Sequence, residues 1–202
     1  MTSSTISPTV PSVASEFLRS FIGTRISQLV RYSLWPAMEV GLNCNIEDEQ
    51  AFSLTAGPLA IHFEDGRVMG VASDPSLNSI IVWDERRPDT DRLGPPLDKD
   101  SELFPILASD ERFSTKEWSQ LAGLTLSTLS ILKSKRMNAK QRTRPSEVGL
   151  RLTLDGGLSL IASHCLLDAP DDFSVIQGSD LIADEFDEFA LGQGGSRPWS
   201  PS

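Results

Sequence analysis

The chain has 202 residues, 39% of them hydrophobic, and its 28 acidic and 18 basic side chains give a formal net charge of −10. That hydrophobic content is enough for the core of one duplicated domain or of two small ones. No segment approaches the roughly 18 apolar residues that a membrane helix requires, and the first residues lack the basic head and apolar core of a signal peptide. Composition therefore predicts a globular protein of the bacterial-type cytoplasm without a membrane segment.

The cysteines give no sign of a disulfide framework or a zinc site. Cys44 and Cys165 lie far apart and neither has a CxxC neighbour. A structural zinc site needs clustered ligands, which this spacing does not supply. We therefore expect two reduced thiols that pack as small hydrophobic groups, with no metal and no other cofactor.

Charge is distributed unevenly along the chain. Residues 133–144 contain six basic side chains and no acid, which leaves 12 basic and 28 acidic residues, a net charge of −16, elsewhere. Such a field repels nucleic acid and attracts a basic partner, although acidity can also serve solubility alone. The basic window lacks the aromatic residues that stack on bases, so we expect a solvated loop. It could instead contact an acidic edge of a partner or of this chain's own second half.

The first half begins with an amphipathic helix that is predicted to end at Gly23. Val13, Phe17 and Phe21 belong to its apolar stripe, and glycine supplies the left-handed conformation that stops a helix. Two later strands alternate apolar with polar residues on either side of Asp65-Gly66, as in a hairpin. The strands predicted in this half span residues 25–30, 59–63, 68–72 and 79–83.

The second half follows the same order. Ser114 and Glu117 have the spacing of a capping box, so a short helix is predicted to begin there and to end at Gly123. Its hairpin turns at Asp155-Gly156. Acids and phenylalanines then alternate over residues 184–189, which favours a further short helix. The strands predicted in this half span residues 125–132, 150–154, 158–162 and 173–176.

Two blocks of the first half recur in the second in the same order. Residues 17–30 match residues 117–130, and residues 65–73 match residues 155–163, including the helix stops and the Asp-Gly turns. The displacement falls from 100 to 90, which places about ten additional residues of the first half within residues 31–58. The sequence therefore predicts an α+β fold, a tandem duplication of a helix followed by about four mainly antiparallel strands.

This repeat divides the chain into four parts. The first α+β module spans residues 13–83 and the second spans residues 114–190. Between them, residues 84–113 combine prolines with many charges, which predicts a linker with one anchored turn at most, because proline removes ladder donors and charges resist burial. Residues 191–202 are predicted to form a loose C-terminal tail.

Few groups could catalyse a reaction. The sequence has no glycine-rich phosphate loop, no nucleophile elbow and no cluster with metal-ligand spacing. His62 falls on the polar face of a predicted strand, where a solvated side chain is expected. His164 and Cys165 are neighbours on a strand, so their side chains are expected on opposite faces and out of contact. Turn formation accounts for Asp65 and Asp155. We therefore expect a protein that is not an enzyme.

A family resemblance rests on two stretches of each half. Residues 21–23 with 58–66, and residues 118–123 with 149–156, combine a short helix, a glycine and a hairpin of the GxLxFxDGxxLxVxS type. This combination resembles small immunity proteins encoded beside bacterial polymorphic toxins of type VI, Rhs or contact-dependent systems. The resemblance implies a protein that binds and neutralises the catalytic domain of a cognate secreted toxin. Neutralisation in the cytosol implies a toxin that acts on nucleic acid or nucleotides rather than on peptidoglycan.

Toxins of that kind present basic clefts, which an acidic surface complements with fast association. We expect carboxylates from segments that differ between the two halves to enter such a cleft, and we expect no direct contact with nucleic acid. The candidate partner-binding residues are Glu47, Asp48, Glu49, Asp84, Glu85, Asp89, Asp91, Asp184, Glu185, Asp187 and Glu188. Two alternatives stay open: a non-catalytic adaptor or chaperone of a larger assembly, and an enzyme whose site is assembled from scattered residues.

Overall fold

The structure, a computed structural model, describes residues 7–86, 95–166, 173–181 and 183–192. Within these ranges the fold is α+β, as predicted, with two antiparallel sheets of five strands each. The first sheet contains β1 (Ile26–Ser33), β2 (Leu59–Phe63), β3 (Val68–Asp74), β4 (Ser79–Asp84) and β5 (Phe104–Leu107). The second contains β6 (Leu126–Ser134), β7 (Glu147–Leu154), β8 (Ser159–His164), β9 (Phe173–Gln177) and β10 (Phe186–Ala190).

The helices of the described residues are short. They are α1 (Ser15–Arg19), α2 (Ala37–Cys44), α3 (Ala51–Leu54) and α4 (Lys116–Ser119). None of them has the length and apolar character that crossing a membrane would require. Helices of one or two turns are marginal in water, so packing against the sheets must stabilise them.

The two sheets have the same strand order. It is β4-β3-β2-β1-β5 in the first sheet and β9-β8-β7-β6-β10 in the second. In the first sheet β1 lies between β2 and β5, and in the second sheet β6 lies between β7 and β10. All four of these pairings are antiparallel. Both first strands also have a β-bulge next to their second residue.

A reciprocal set of backbone hydrogen bonds joins the halves where β1 and β6 begin. The N–H of Gly23 donates to the Leu126 carbonyl at 2.8 Å, and the N–H of Gly123 donates to the Ile26 carbonyl at 2.7 Å. The two glycines have φ of 87° and 86°, a conformation that other residues rarely adopt. The helices end earlier than predicted, α1 at Arg19 and α4 at Ser119, and the two glycines form the junction between the halves instead.

One apolar core connects both sheets and the helices. Alternate residues of the hairpin strands point into it, including Leu59 and Ile61 of β2 and Leu150 and Leu152 of β7. Burial of each such side chain contributes roughly 1.5–3 kcal/mol.

The long connections after β1 and β6 leave from the same end of the two sheets. Arg31, near the end of β1, donates to the carbonyl of Phe173 at the start of β9. The N–H of Glu147, at the start of β7, donates to Ser79 Oγ at the start of β4 at 2.8 Å. We call residues 34–58 the helical connection and residues 135–146 the basic connection.

The additional residues of the first half form helices. The helical connection contains α2 and α3, whereas the described basic connection contains a single 3-10 turn, Gln141–Thr143. Phe52 of α3 is fully buried, and its ring centroid lies 5.6 Å from that of Trp118 in α4. The helical connection is therefore part of the core.

Several elements differ from their sequence-based predictions. Residues 84–113, predicted as a linker, contribute β5, because Ile106 reaches the core while Pro105 occupies an edge strand that needs fewer donors. Residues 184–189 were predicted as a helix. They instead form the end of a 3-10 turn and most of β10, whose alternation fits an edge strand beside β6. Leu191, predicted to lie in a loose tail, is buried in the core, and residues 193–202 lie outside the described ranges.

The predicted capping box does not form. Thr115, not Ser114, occupies the N-cap of α4, and its side chain makes no capping hydrogen bond. Ser114 is buried, and its hydroxyl donates to the Thr115 carbonyl at 3.5 Å instead of accepting from an N–H of the first turn.

Candidate protein-interaction site

The prediction that His164 and Cys165 stay apart is wrong. Cys165 lies just beyond β8 with φ of 53°, so strand alternation no longer applies to it. Its Sγ lies 3.6 Å from Nδ1 and 3.5 Å from Nε2 of the His164 ring. A sulfur equidistant from both nitrogens is aligned with neither lone pair, and Nδ1 is already 2.6 Å from Ser73 Oγ. This is a poor geometry for transferring a thiol proton to the imidazole.

His62 is half-buried instead of solvated. Its Nε2 is buried and has no protein hydrogen-bond partner among the described residues. Burial, followed by the positive charge of Arg86, lowers the pKa of the ring. The lowered pKa favours the neutral form of the ring at neutral pH.

The Asp-Gly turns use their carboxylates internally. Asp65 Oδ2 accepts a hydrogen bond from Arg67 Nε at 2.8 Å, and partial burial, which raises the Asp65 pKa, is outweighed by the Arg67 hydrogen bonds, so the pKa is lowered. Asp155 Oδ1 accepts from the N–H of Thr125 at 2.9 Å. Over the described ranges, no group of three or more His, Cys, Asp or Glu side chains is placed to hold a metal ion.

Of the predicted acidic residues, Glu85 is unavailable to a partner. It is buried, with Oε2 accepting from Trp83 Nε1 at 2.5 Å and Oε1 accepting from the N–H of Leu97 at 2.7 Å. Glu85 thereby ties the segment that contains Leu97 to the outer face of the first sheet. Asp84 is half-buried and accepts from the N–H of Arg86 at 3.2 Å. Asp89 and Asp91 lie outside the described residues.

The acids near the C-terminus face the chain's own bases. Glu185 lies 3.2 Å from Arg136, Asp187 lies 4.0 Å from Lys135, and Glu188 lies 3.2 Å from Arg151. The backbone carbonyl of Asp184 accepts a hydrogen bond from Lys135 Nζ at 3.2 Å. Lys135 and Arg136, two residues of the basic window, therefore contact acids of this chain's own second half, which is one of the alternatives left open above. Because these acids face bases of the same chain, they offer little net charge to a partner.

The third acidic segment is exposed and carries unbalanced charge. Glu47, Asp48 and Glu49 form the turn between α2 and α3, and none of them has an ion-pair partner among the described residues. The turn closes on itself through Gln50, whose Oε1 accepts from the N–H of Glu47 at 3.2 Å. These are the predicted carboxylates that the structure leaves available.

An apolar face of the helical connection lies beside this turn. Four large side chains are exposed, Leu34 at 58%, Trp35 at 45%, Met38 at 71% and Leu42 at 88%. Met38 and Leu42 are four residues apart on α2, so they project from one side of it. The opposite side, with Val40, is buried in the core. Because Val40 anchors one side of α2 to the core, Met38 and Leu42 on the other side face solvent.

Local geometry places the acidic turn close to α2. Asn45, with φ of 54°, ends the helix, and the N–H of Ile46 folds back to the Gly41 carbonyl at 3.0 Å. A Cβ on Gly41 would lie 3.1 Å from the Ile46 carbonyl oxygen and 2.4 Å from Asp48 Oδ1. Glycine at this position therefore permits the close approach of the acids to the helix.

We call this combined region the α2 surface. Its members are the apolar Leu34, Trp35, Met38 and Leu42 and the acidic Glu39, Glu47, Asp48 and Glu49. Single exposed apolar residues are ordinary, but two on one short helix and two just before it, beside uncompensated charge, are typical of an interaction site. Sequence reasoning found three of the acids and missed the apolar members. Their signal was the spacing of Met38 and Leu42 in the segment that has no match in the second half.

No family model, curated protein or solved structure matches the chain.

Proposed function

We propose that this chain is a non-catalytic protein-binding module and that the α2 surface docks onto a basic protein. We further propose that the partner is the catalytic domain of a cognate secreted bacterial toxin, so that the chain acts as its immunity protein in the cytoplasm. The observation that carries the binding proposal is the exposure of Trp35, Met38 and Leu42 beside four acids that have no ion-pair partner among the described residues.

The two components of the α2 surface favour different parts of binding. Exposed apolar side chains gain free energy when a partner covers them, and tryptophan is among the residues that most often dominate an interface. The acids speed encounter with a basic surface more than they strengthen the final complex. Together they fit a partner that has an apolar groove with a basic rim, entered by a helix face.

The toxin class is supported by the resemblance of the helix-and-hairpin pattern to immunity proteins and by the net charge of −10. Enzymes that attack nucleic acid or nucleotides bind phosphates and therefore have basic clefts. An acidic, apolar protrusion could enter such a cleft and exclude the substrate. The second candidate function, an adaptor or chaperone of a larger assembly, would use the same surface without inhibiting its partner.

We also propose that the two halves arose by duplication of one helix-and-sheet module. The matched sequence blocks, the common strand order and the reciprocal hydrogen bonds of Gly23 and Gly123 support this origin. On this proposal the shared elements maintain the fold, and function lies in what differs between the halves. The helical connection is the largest such difference.

The experiment is co-expression with the C-terminal domain of the toxin encoded beside this gene, followed by isolation of the complex and a rescue assay. Leu42→Asp is the test variant, and Leu158→Asp, at a 46% exposed apolar residue outside the α2 surface, is the matched control. We expect Leu42→Asp to weaken binding by roughly a hundredfold, equivalent to about 2.7 kcal/mol, and to abolish rescue. The control variant should bind and rescue like the unmodified chain.

Each outcome separates the parts of the proposal. Failure to bind or rescue against the neighbouring domain would contradict the immunity function. Binding without rescue would favour the adaptor. Binding that both variants leave unchanged would remove the α2 surface from the proposal while keeping the function. Because Leu42 is almost fully exposed, its replacement should change the free energy of unfolding by no more than about 0.5 kcal/mol.

A further inference from the structure

A cavity of about 520 Å³ lies between the segment before α1 and the basic connection. Its volume is in the range of sites that bind small molecules, roughly 300–1,000 Å³. The side chains that define its character are Val10, Val13, Lys133, Met137, Arg142 and Arg144. The cavity is separate from the α2 surface and contains none of its residues.

The acid of this cavity is already engaged. Glu147 is buried at its inner side, where Oε2 accepts from the N–H of Ser12 at 2.8 Å and Oε1 lies 3.6 Å from Lys133 Nζ. The lysine and the glutamate balance each other in charge. What the cavity offers to a ligand is therefore determined by its two arginines.

The arginines are held in place without being neutralised. Arg142 Nε donates to the Met137 carbonyl at 3.1 Å, and Arg144 Nη1 donates to the Pro75 carbonyl at 3.1 Å. Neither guanidinium has a carboxylate partner among the described residues, in a chain with 28 acids. Two fixed forks of N–H donors match an oxyanion better than flexible lysines would.

The rest of the lining determines what else the ligand can contain. Val10, Val13, Met137 and Pro145 provide an apolar wall, and none of the lining residues is aromatic. A wall of this kind fits an aliphatic group and gives no platform for stacking a base. Val13 is 71% exposed, so a ligand could cover it.

We infer that this cavity binds a small dianion with an aliphatic body, either a phosphate monoester or a dicarboxylate. One guanidinium meets each negative charge, and the aliphatic body lies against Val13 and Met137. The overall charge of −10 disfavours long polyanions such as nucleic acid, whereas a small ligand interacts mainly with the cationic groups close to it.

The test is isothermal titration of the full chain with hexyl phosphate and with adipate, together with inorganic phosphate as a probe that lacks the aliphatic body. We expect hexyl phosphate or adipate to bind more tightly than inorganic phosphate. The tighter of the two assigns the head group as phosphate ester or dicarboxylate. Arg142→Gln and Arg144→Gln should each weaken that binding by roughly tenfold, since each removes a hydrogen bond to a charged group.

The matched control is Arg136→Gln, which removes the same charge from the same connection at a residue outside the cavity, where Arg136 faces Glu185. It should change affinity by less than threefold. The absence of binding of both organic probes at 10 mM would overturn the inference. Equal weakening by Arg136→Gln would also overturn it, because it would indicate a general response to charge. Arg142 is exposed, so Arg142→Gln tests the site without threatening the fold.

Discussion

The helical and basic connections occupy the same position in their sheets and differ in nearly every physical property. The helical connection has four acids and no base, and the basic connection has five bases and no acid. The first contains two helices that reach the core, and the second, as described, has a single 3-10 turn. The comparison teaches that a sheet fixes where a connection begins and ends and leaves its charge and internal structure free to change.

Both connections are nevertheless anchored on the opposite sheet. At the helical connection, buried Arg31 donates to the carbonyls of Thr55 and Phe173. At the basic connection, Arg144 donates to the Pro75 carbonyl, and the N–H of Ser146 lies 3.4 Å from the Leu77 carbonyl. Both connections are therefore held by hydrogen bonds to the opposite sheet. They differ in what they present to solvent, which is an apolar, acidic surface in one half and a cationic cavity in the other.

The largest expected effect tests whether the helical connection is part of the core. Phe52→Ala removes a fully buried ring that packs on Trp118, so we expect the free energy of unfolding to fall by about 3–5 kcal/mol. Met137→Ala, at a half-buried residue of the basic connection, should cost less than about 1 kcal/mol. Urea denaturation followed by tryptophan fluorescence measures both. Similar losses in the two variants would remove the structural part of the comparison.

The parts of this fold that sequence predicted are those with local signals. Alternation located the hairpin strands, and the glycines at 23 and 123 marked turns that need positive φ. β5 and β10 were missed because their pairing partners lie 52–77 residues away in the chain. Pro105 in β5 and the acids of β10 also resemble loop residues when read without their neighbours.

The same limit applies to the candidate site. Nothing local distinguishes Glu85, which is buried against Trp83, from exposed Glu47, since both lie in acidic stretches. The pairing of Glu185 with Arg136 depends on β10 lying beside β6. Availability of an acid is thus a property of the tertiary structure, whereas the apolar spacing of Met38 and Leu42 was visible in the sequence.

The second prediction concerns Tyr32, which precedes the helical connection. Burial, with the negative charges of Asp98 and Glu85, raises the Tyr32 pKa to about 12. Its counterpart 100 residues later is Leu132, which cannot titrate. Tyr32 is the single tyrosine of the chain, so the whole tyrosinate absorbance change belongs to it. We expect a midpoint near pH 12 in the folded protein and near the ordinary value of about 10 in urea.

The raised pKa makes Tyr32 a source of alkaline sensitivity. The folded state holds this proton more tightly than the unfolded state, so the contribution is fully present below about pH 10 and is lost as the pH rises towards 12. Tyr32→Phe should therefore reduce the fall in the free energy of unfolding between these two pH values. An unchanged slope in that variant would mean that other groups cause the alkaline loss.

The third prediction compares exposed acids with paired acids. Reversing Glu47, Asp48 and Glu49 to lysine should slow association with the basic partner by about tenfold at low salt, and by much less at 0.5 M salt, because screening shortens the range of the charges. The control is reversal of Glu185, Asp187 and Glu188, which face this chain's own bases. Stopped-flow measurement of the association rate decides between them. Equal slowing would show that total charge, and not the α2 surface, steers the encounter.

The smallest expected effect concerns the ion pairs between the basic connection and β10. Arg136 is 83% exposed in its side chain, so its pair with Glu185 at 3.2 Å is strongly screened by water and adds less than about 1 kcal/mol. Arg136→Gln should shift the urea midpoint only slightly, and the shift should vanish in 0.5 M salt. Glu185→Gln should match it, and the double variant should lose no more than either single variant if the two charges act as a pair. If the losses in free energy of unfolding were fully additive, each residue would stabilise the chain independently. The ion pair with β10 would then not stabilise the basic connection.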